Sequence, residues 1–275
     1  MTKKRRFNKV IPYVVLVIIG IAFLLPLLWL IIACFDPNAS QSIKWPANWS
    51  FSNIQAVLTS SSNLRAFKNG LVISVVQSVF VVVISLLSAY PLSRYRLRYK
   101  KVFMYSILLM TALPMTAVMV PVYRLFLKWG LYDTTYGVIL FLTASALPYA
   151  IWLMKNFMDS IPIELEEAAW VDGATVFTGI RKVVSPLMFP GICVVFIYTF
   201  SGSWGNFFVP YILLNSADKF PASVQLYQYF GQHGQIVYGQ LAAYSALYAI
   251  PAILLYILSQ KYMSKGFTMS GGTKG

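Results

Sequence analysis

Six stretches of this chain, residues 10–34, 71–92, 102–123, 136–154, 187–214 and 241–260, contain no Asp, Glu, Lys, Arg or His. A hydrocarbon core about 30 Å thick needs about 20 residues of helix at about 1.5 Å rise each, and each stretch is about that long or longer. In lipid the backbone must satisfy its own hydrogen bonds, which leaves helices or closed barrels. Barrel strands are about 10 residues of strict alternation. Continuous apolar runs therefore predict an all-α, polytopic membrane protein with six transmembrane helices. Composition agrees: 11% of residues are charged, against about 25% in soluble domains.

Charge in the loops sets the orientation. With the N-terminus inside, the inner loops and tails hold Lys3, Lys4, Arg5, Arg6, Lys9, Arg94, Arg96, Arg98, Lys100, Lys101, Lys155, Arg181, Lys182, Lys261, Lys265 and Lys274. The outer loops hold Lys44, Arg65, Lys68, Arg124, Lys128 and Lys219. That excess of inner cations places both termini in the cytoplasm. Trp45, Trp49 and Trp129 fall where aromatic rings favour the membrane–water interface. With no linker or low-complexity tract, the chain reads as one domain over 1–275: a cytoplasmic tail (1–9), a six-helix membrane core (10–260) and a second tail (261–275).

Several function classes drop out. The net charge of +14 sits beside apolar runs rather than among stacking aromatics, so it reads as an orientation signal and not as nucleic-acid binding. Two cysteines, Cys34 and Cys193, and one histidine, His233, are too few for a metal cluster or disulfide framework. The run before Cys34 is too long for a signal-peptide core, so Cys34 reads as an ordinary residue near a helix end. No Gly-Lys dipeptide occurs, so the chain lacks a phosphate-binding loop for ATP. His233 has no neighbouring carboxylate for a catalytic set.

All three glutamates, Glu164, Glu166 and Glu167, lie in "ELEEAAWVDGA", within the inner loop over residues 155–186. Asp159 or Ser160 is expected to cap a helix whose early proline is Pro162 and whose first two turns carry the glutamates near its positive end. Asp172 and Gly173 would stop it. Thr175 would cap a second short helix ending at Arg181 and Lys182, which Pro186 breaks before the fifth span. An acidic hairpin suits anionic lipid poorly; a cationic protein partner fits it, with Ala168 and Ala169 allowing close approach.

This loop resembles the signature loop of the inner-membrane permease subunits of ABC importers: Glu167-Ala168-Ala169, Gly173, Val183 and Ser185-Pro186 match its Glu-Ala-Ala, Gly, Ile and Leu-Pro elements in spacing. Val183 and Ser185 depart from the usual Ile and Leu. "SAYPLSRYRLRYKK", "LPMTAVMVPVYRLFLKWGLYDT", "LPYAIWLMKNFMDSIPIELEEAAWVDGA", "SWGNFFVP" and the closing "SKGFTMSGGTKG" are similar to the carbohydrate branch of that family, although Gly205 interrupts its Trp-Asn pair. The resemblance implies a multi-pass protein of the bacterial inner or plasma membrane. It also implies a second, homologous permease subunit, two cytoplasmic ATPase subunits holding ATP and Mg, an extracytoplasmic solute-binding protein and a carbohydrate substrate. This chain would bind no cofactor and catalyse no reaction. Glu164, Glu166, Glu167, Ala168, Ala169, Asp172, Gly173 and Pro186 would form the ATPase-coupling loop.

The uncharged spans bear on the cargo. Proton-coupled pumps place ionisable groups inside the membrane, and a charged solute would favour a countercharge. Here the spans offer hydroxyls, amides and flat rings: Tyr198, Ser201, Trp204 and Asn206 in the fifth, Tyr244 and Tyr248 in the sixth. These suit a neutral polyhydroxylated solute, and they are the candidate substrate path. Rival readings are an ion-coupled secondary transporter, a membrane enzyme, and a permease for another neutral solute.

Overall fold

The computed structural model describes residues 2–230 and 236–271, with side chains over 12–230 and 236–260; His233 lies outside the described residues. The helices are α1 (Thr2–Cys34), α2 (Ser52–Thr59), α3 (Ser61–Arg94), α4 (Lys100–Met110), α5 (Met115–Trp129), α6 (Thr135–Asp159), α7 (Glu164–Val171), α8 (Val176–Gly179), α9 (Ser185–Trp204), α10 (Phe208–Leu213), α11 (Ala222–Gln228) and α12 (Tyr238–Gly271). No strand occurs among the described residues, and the fold is all-α. Among the described residues five helices are long and apolar enough to cross a membrane, six if one bent pair counts as a single span.

That bent pair corrects an expectation. The third span was expected to be continuous, but α4 and α5 meet at 91°. Pro114 caps α5 in extended backbone, and a proline disfavours helical backbone in the residue before it. At about 1.5 Å per residue α4 is only about 16 Å long, too short to span alone. The fifth span is also interrupted: α9 stops at Trp204, and α10 restarts three residues after Gly205. Asn206 Oδ1 accepts from the Val209 N–H at 2.9 Å and so satisfies a donor that a new helix start leaves open.

Residue contacts group the chain into two compact units, Met1–Leu64 with Gln225–Ile250, and Arg65–Val224 with Pro251–Gly275. In the first, α1 exposes most of its apolar side chains over residues 12–31, as a lipid-facing helix does. Buried Asn53 donates to the carbonyls of Ala33 (3.4 Å) and Cys34 (3.3 Å) in the last turn of α1 and of Asp36 (2.9 Å) just beyond it, where the helix end leaves carbonyls to be met by side chains. Asn63 donates to Val57 O and to the Tyr229 hydroxyl, and the Tyr229 ring lies 5.1 Å from that of Tyr244.

In the second unit α3, α5, α6 and α10 share one core built on Ile73, Met119, Phe126, Val138 and Leu213. A second core, on Val81, Ala150, Met154, Val184, Met188 and Val195, joins α3, α6 and α9. Gly191 lets α9 lie directly on Phe157 of α6, where a Cβ would come within 2.6 Å of the ring. At the opposite end Asp133, held at φ 54°, accepts from the Asn215 and Ser216 N–H groups at 2.9 and 3.0 Å, from Ser216 Oγ at 2.5 Å and from Lys219 Nζ at 2.9 Å. Burial opposes its charge, but these four donors outweigh burial and hold the carboxyl well below the usual carboxylate range.

Candidate functional site

The acidic hairpin joins α6 to α9, inside the second unit. Its capping differs from the sequence expectation. α6 runs through to Asp159, so neither Asp159 nor Ser160 caps α7: Ser160 Oγ turns back to Phe157 O at 2.6 Å, while Asp159 pairs with Lys155 and accepts from Ser93 Oγ at 2.6 Å. α7 starts at Glu164 without a side-chain cap. The helix dipole is instead met by Glu164, Glu166 and Glu167 in the first turn.

Gly173, at φ +86°, makes the reversal after Asp172, a conformation that costs an L side chain. Thr175 caps α8 as expected, accepting from the Thr178 N–H at 3.3 Å. Pro186 does not break the chain before the fifth span. A π-helical turn, Ile180–Val184, carries α8 into α9, with the Ser185 N–H bonded to Ile180 O, and Pro186 sits in the first turn of α9. The wider turn takes up the ring that a regular helix interior would exclude.

The three glutamates divide. On α7 the positions Glu164, Glu167, Ala168 and Val171 follow helical spacing along one exposed face. Val171 is 87% exposed, and Phe177 on the adjoining α8 is 73% exposed. Asp172 and Gly173 are exposed at the turn, and Ala169 is half-buried. Glu166 points the other way and is fully buried. Its Oε1 accepts from Arg94 Nε at 2.6 Å and its Oε2 from the Tyr90 hydroxyl at 3.0 Å. Sequence reasoning did not single out Arg94 or Tyr90: several cations crowd the inner loop after α3, and nothing in one dimension selects a partner. It also passed over Val171 and Phe177, apolar residues that the hairpin leaves uncovered.

The substrate-path candidates separate too. In the second unit Tyr198 and Ser201 are exposed on α9, and the Tyr198 ring lies 4.8 Å from that of Tyr149. Trp204 is buried, stacked on Phe200 and pressed against Gly70. Asn206 lies in the break before α10, and its backbone carbonyl accepts from Ser223 Oγ at 2.9 Å. In the first unit Tyr244 is buried and Tyr248 half-buried.

The fold and this hairpin define a class: a helical membrane protein whose long spans are punctuated on the inner side by a short helical hairpin with a mixed acidic and apolar face. Residues 81–268 match the family described as the binding-protein-dependent transport system inner membrane component, and the chain belongs to that family. It is 34% identical over 209 residues to the inner membrane ABC transporter permease protein YcjP of Escherichia coli, covering 76% of this chain and 74% of YcjP. Its similarity to the maltodextrin transport system permease protein MdxG of Bacillus subtilis is 28% identity over 98% of both chains. A bacterial ABC transporter involved in import of the acidic polysaccharide alginate shares the fold, with a TM-score of 0.84 at 23% identity, covering 95% of this chain and 98% of that one. The protein is thus a transport component of the inner membrane rather than an enzyme.

Proposed function

We propose that this chain forms half of the translocation pathway of an ATP-driven importer for a neutral oligosaccharide, and that α7 and α8 dock on a cytoplasmic ATPase subunit. The observation that carries the docking reading is the α7 face itself. Two carboxylates, a small Ala168 and an uncovered Val171 share one side of a short helix, with Phe177 beside them. A patch of this kind, charged at one end and apolar at the other, fits a protein groove that carries cations beside an apolar wall. ATP and Mg would be held by the ATPase subunits. A second permease subunit would complete the pathway, and an extracytoplasmic binding protein would deliver the cargo.

The carbohydrate reading draws support from the uncharged spans and from relatives such as the maltodextrin permease. Tyr198 and Ser201 are the path candidates best placed to meet a solute, because they are exposed on α9. Tyr244, Trp204 and Asn206 act first in packing and capping.

The test is Glu167→Lys. It reverses charge on the exposed face without touching the buried Glu166. The ATPase subunit should no longer co-purify with the variant, while membrane insertion and yield stay at wild-type level. Full ATPase recovery with the variant would reject docking through this face.

A further inference from the structure

A helix meant to transmit force needs a firm attachment to the body it moves. Apolar contact holds α7 only in part, through half-buried Ala169 and the Trp170 ring against Gly179. Among the described residues of α7, Glu166 alone is fully buried, so the innermost attachment of the helix is a carboxylate and not an apolar side chain. Both oxygens of that carboxylate are engaged, by Arg94 and by Tyr90. These two residues are four apart on the last turns of α3 and so project from one face.

Arg94 is itself nearly buried, its side chain 6% exposed, and its Nη2 donates to Ile161 O at 3.2 Å in the link between α6 and α7. Beside it Ser93 donates to Asp159 at the end of α6. The inner end of α3 therefore grips the hairpin at α7 and at the loop leading into it, and holds the end of α6 as well.

We infer that the Glu166–Arg94–Tyr90 cluster is a rigid strut that makes α7 and the inner end of α3 move as one body, so that motion imposed on α7 enters the membrane through α3. The inference rests on the docking reading above. Its physical basis is directionality. Apolar packing lets a short helix slide or roll at small cost, whereas a charge-assisted pair with a second hydrogen bond on the same carboxylate fixes both position and orientation. A buried ion pair adds little net stability over an apolar substitute of similar volume, so stability alone gives no reason for charge at this position. Glu166 acts here as a positioning residue, through α7 and not on any solute.

The experiment uses the assembled importer, this chain with its second permease and ATPase subunits, in proteoliposomes. Spin labels go on exposed Leu87 of α3 and on exposed Leu165 of α7, which lies off the face given to docking, and their separation is measured without nucleotide and after trapping with ATP and vanadate. The wild-type distance should stay constant and narrowly distributed across the two states. In the double variant Arg94→Met with Glu166→Leu, which keeps the volume and leaves no lone buried charge, the ATPase should still co-purify, but the distance should broaden and differ between states. Tyr90→Phe, which removes one hydrogen bond alone, should broaden it less. A double variant that retains both its ATPase and the wild-type distance in each state overturns the strut. A double variant that does not assemble passes the decision to Tyr90→Phe, whose unchanged distribution would likewise overturn it. Failure of the wild-type chain to retain an ATPase subunit would instead strike the docking reading, and the strut with it.

Discussion

Gly70→Ala should destabilise the second unit through a specific collision, and Trp204→Phe should relieve it. A Cβ on Gly70 would stand 2.9 Å from Trp204 Cζ3 and 3.2 Å from the backbone nitrogen of Ala222. Carbon atoms prefer about 3.5–4.0 Å, so the indole would have to retreat by roughly 0.6 Å or more. It has nowhere to go. Trp204 is 4% exposed and stacks on Phe200 at 6.1 Å and 11°, while the Ala222 nitrogen is backbone at the start of α11.

Overpacking a filled interior costs about 1–3 kcal/mol, roughly a 5- to 150-fold shift at about 1.4 kcal/mol per tenfold. Phenylalanine lacks the ring edge that carries Cζ3, so Gly70→Ala should cost markedly less in a Trp204→Phe background. The two changes should then be non-additive by most of that 1–3 kcal/mol. Thermal unfolding of the purified chain in detergent, run on wild type, both single variants and the double, closes the cycle. An equal loss from Gly70→Ala with and without the indole would refute the packing role assigned to Trp204 and return it to the candidates for solute contact.

Two further perturbations test other parts of the fold. Gly173→Ala forces a side chain to φ +86° at about 1–2 kcal/mol; co-purified ATPase should fall while the yield of membrane-inserted chain holds, and full recovery of the ATPase would show that the turn is not needed in this form. Asp133→Asn keeps a residue tolerant of positive φ while removing its charge. Because the folded Asp133 carboxyl is held below its unfolded value of about 3.9, its contribution to stability is complete above that value and is lost as pH falls through the folded one. Wild type should therefore exceed the variant at pH 7 and lose that margin below about pH 4. A margin independent of pH would mean that the Asp133 contacts contribute through shape alone.

Much of the molecule was legible from one dimension because lipid imposes a one-dimensional rule. A helix in hydrocarbon needs a run of uncharged residues whatever its neighbours are, so the spans, the loop charges and the place of the acidic hairpin could be read directly. Thr175 as a cap and Gly173 as the reversal were equally local, since each depends on backbone geometry over a few residues.

What required three dimensions was everything that depends on a partner distant in sequence. Glu164, Glu166 and Glu167 look alike as letters. Glu166 is distinguished only because Tyr90 and Arg94, more than seventy positions earlier, arrive on the opposite side of a helix that turns about 100° per residue. Trp204 looked like a ring for a sugar until Gly70 and Phe200 closed around it. The prolines were ambiguous for the same reason: Pro114 accompanies a 91° bend and Pro186 rides on a π turn, and neither outcome follows from the residue alone. Hydropathy and local geometry dictated which segments enter the membrane and where the chain turns, because those costs are settled between each residue and its solvent. Which side chains hold the parts together was settled by the tertiary structure, because it alone decides what each buried group finds to bond with.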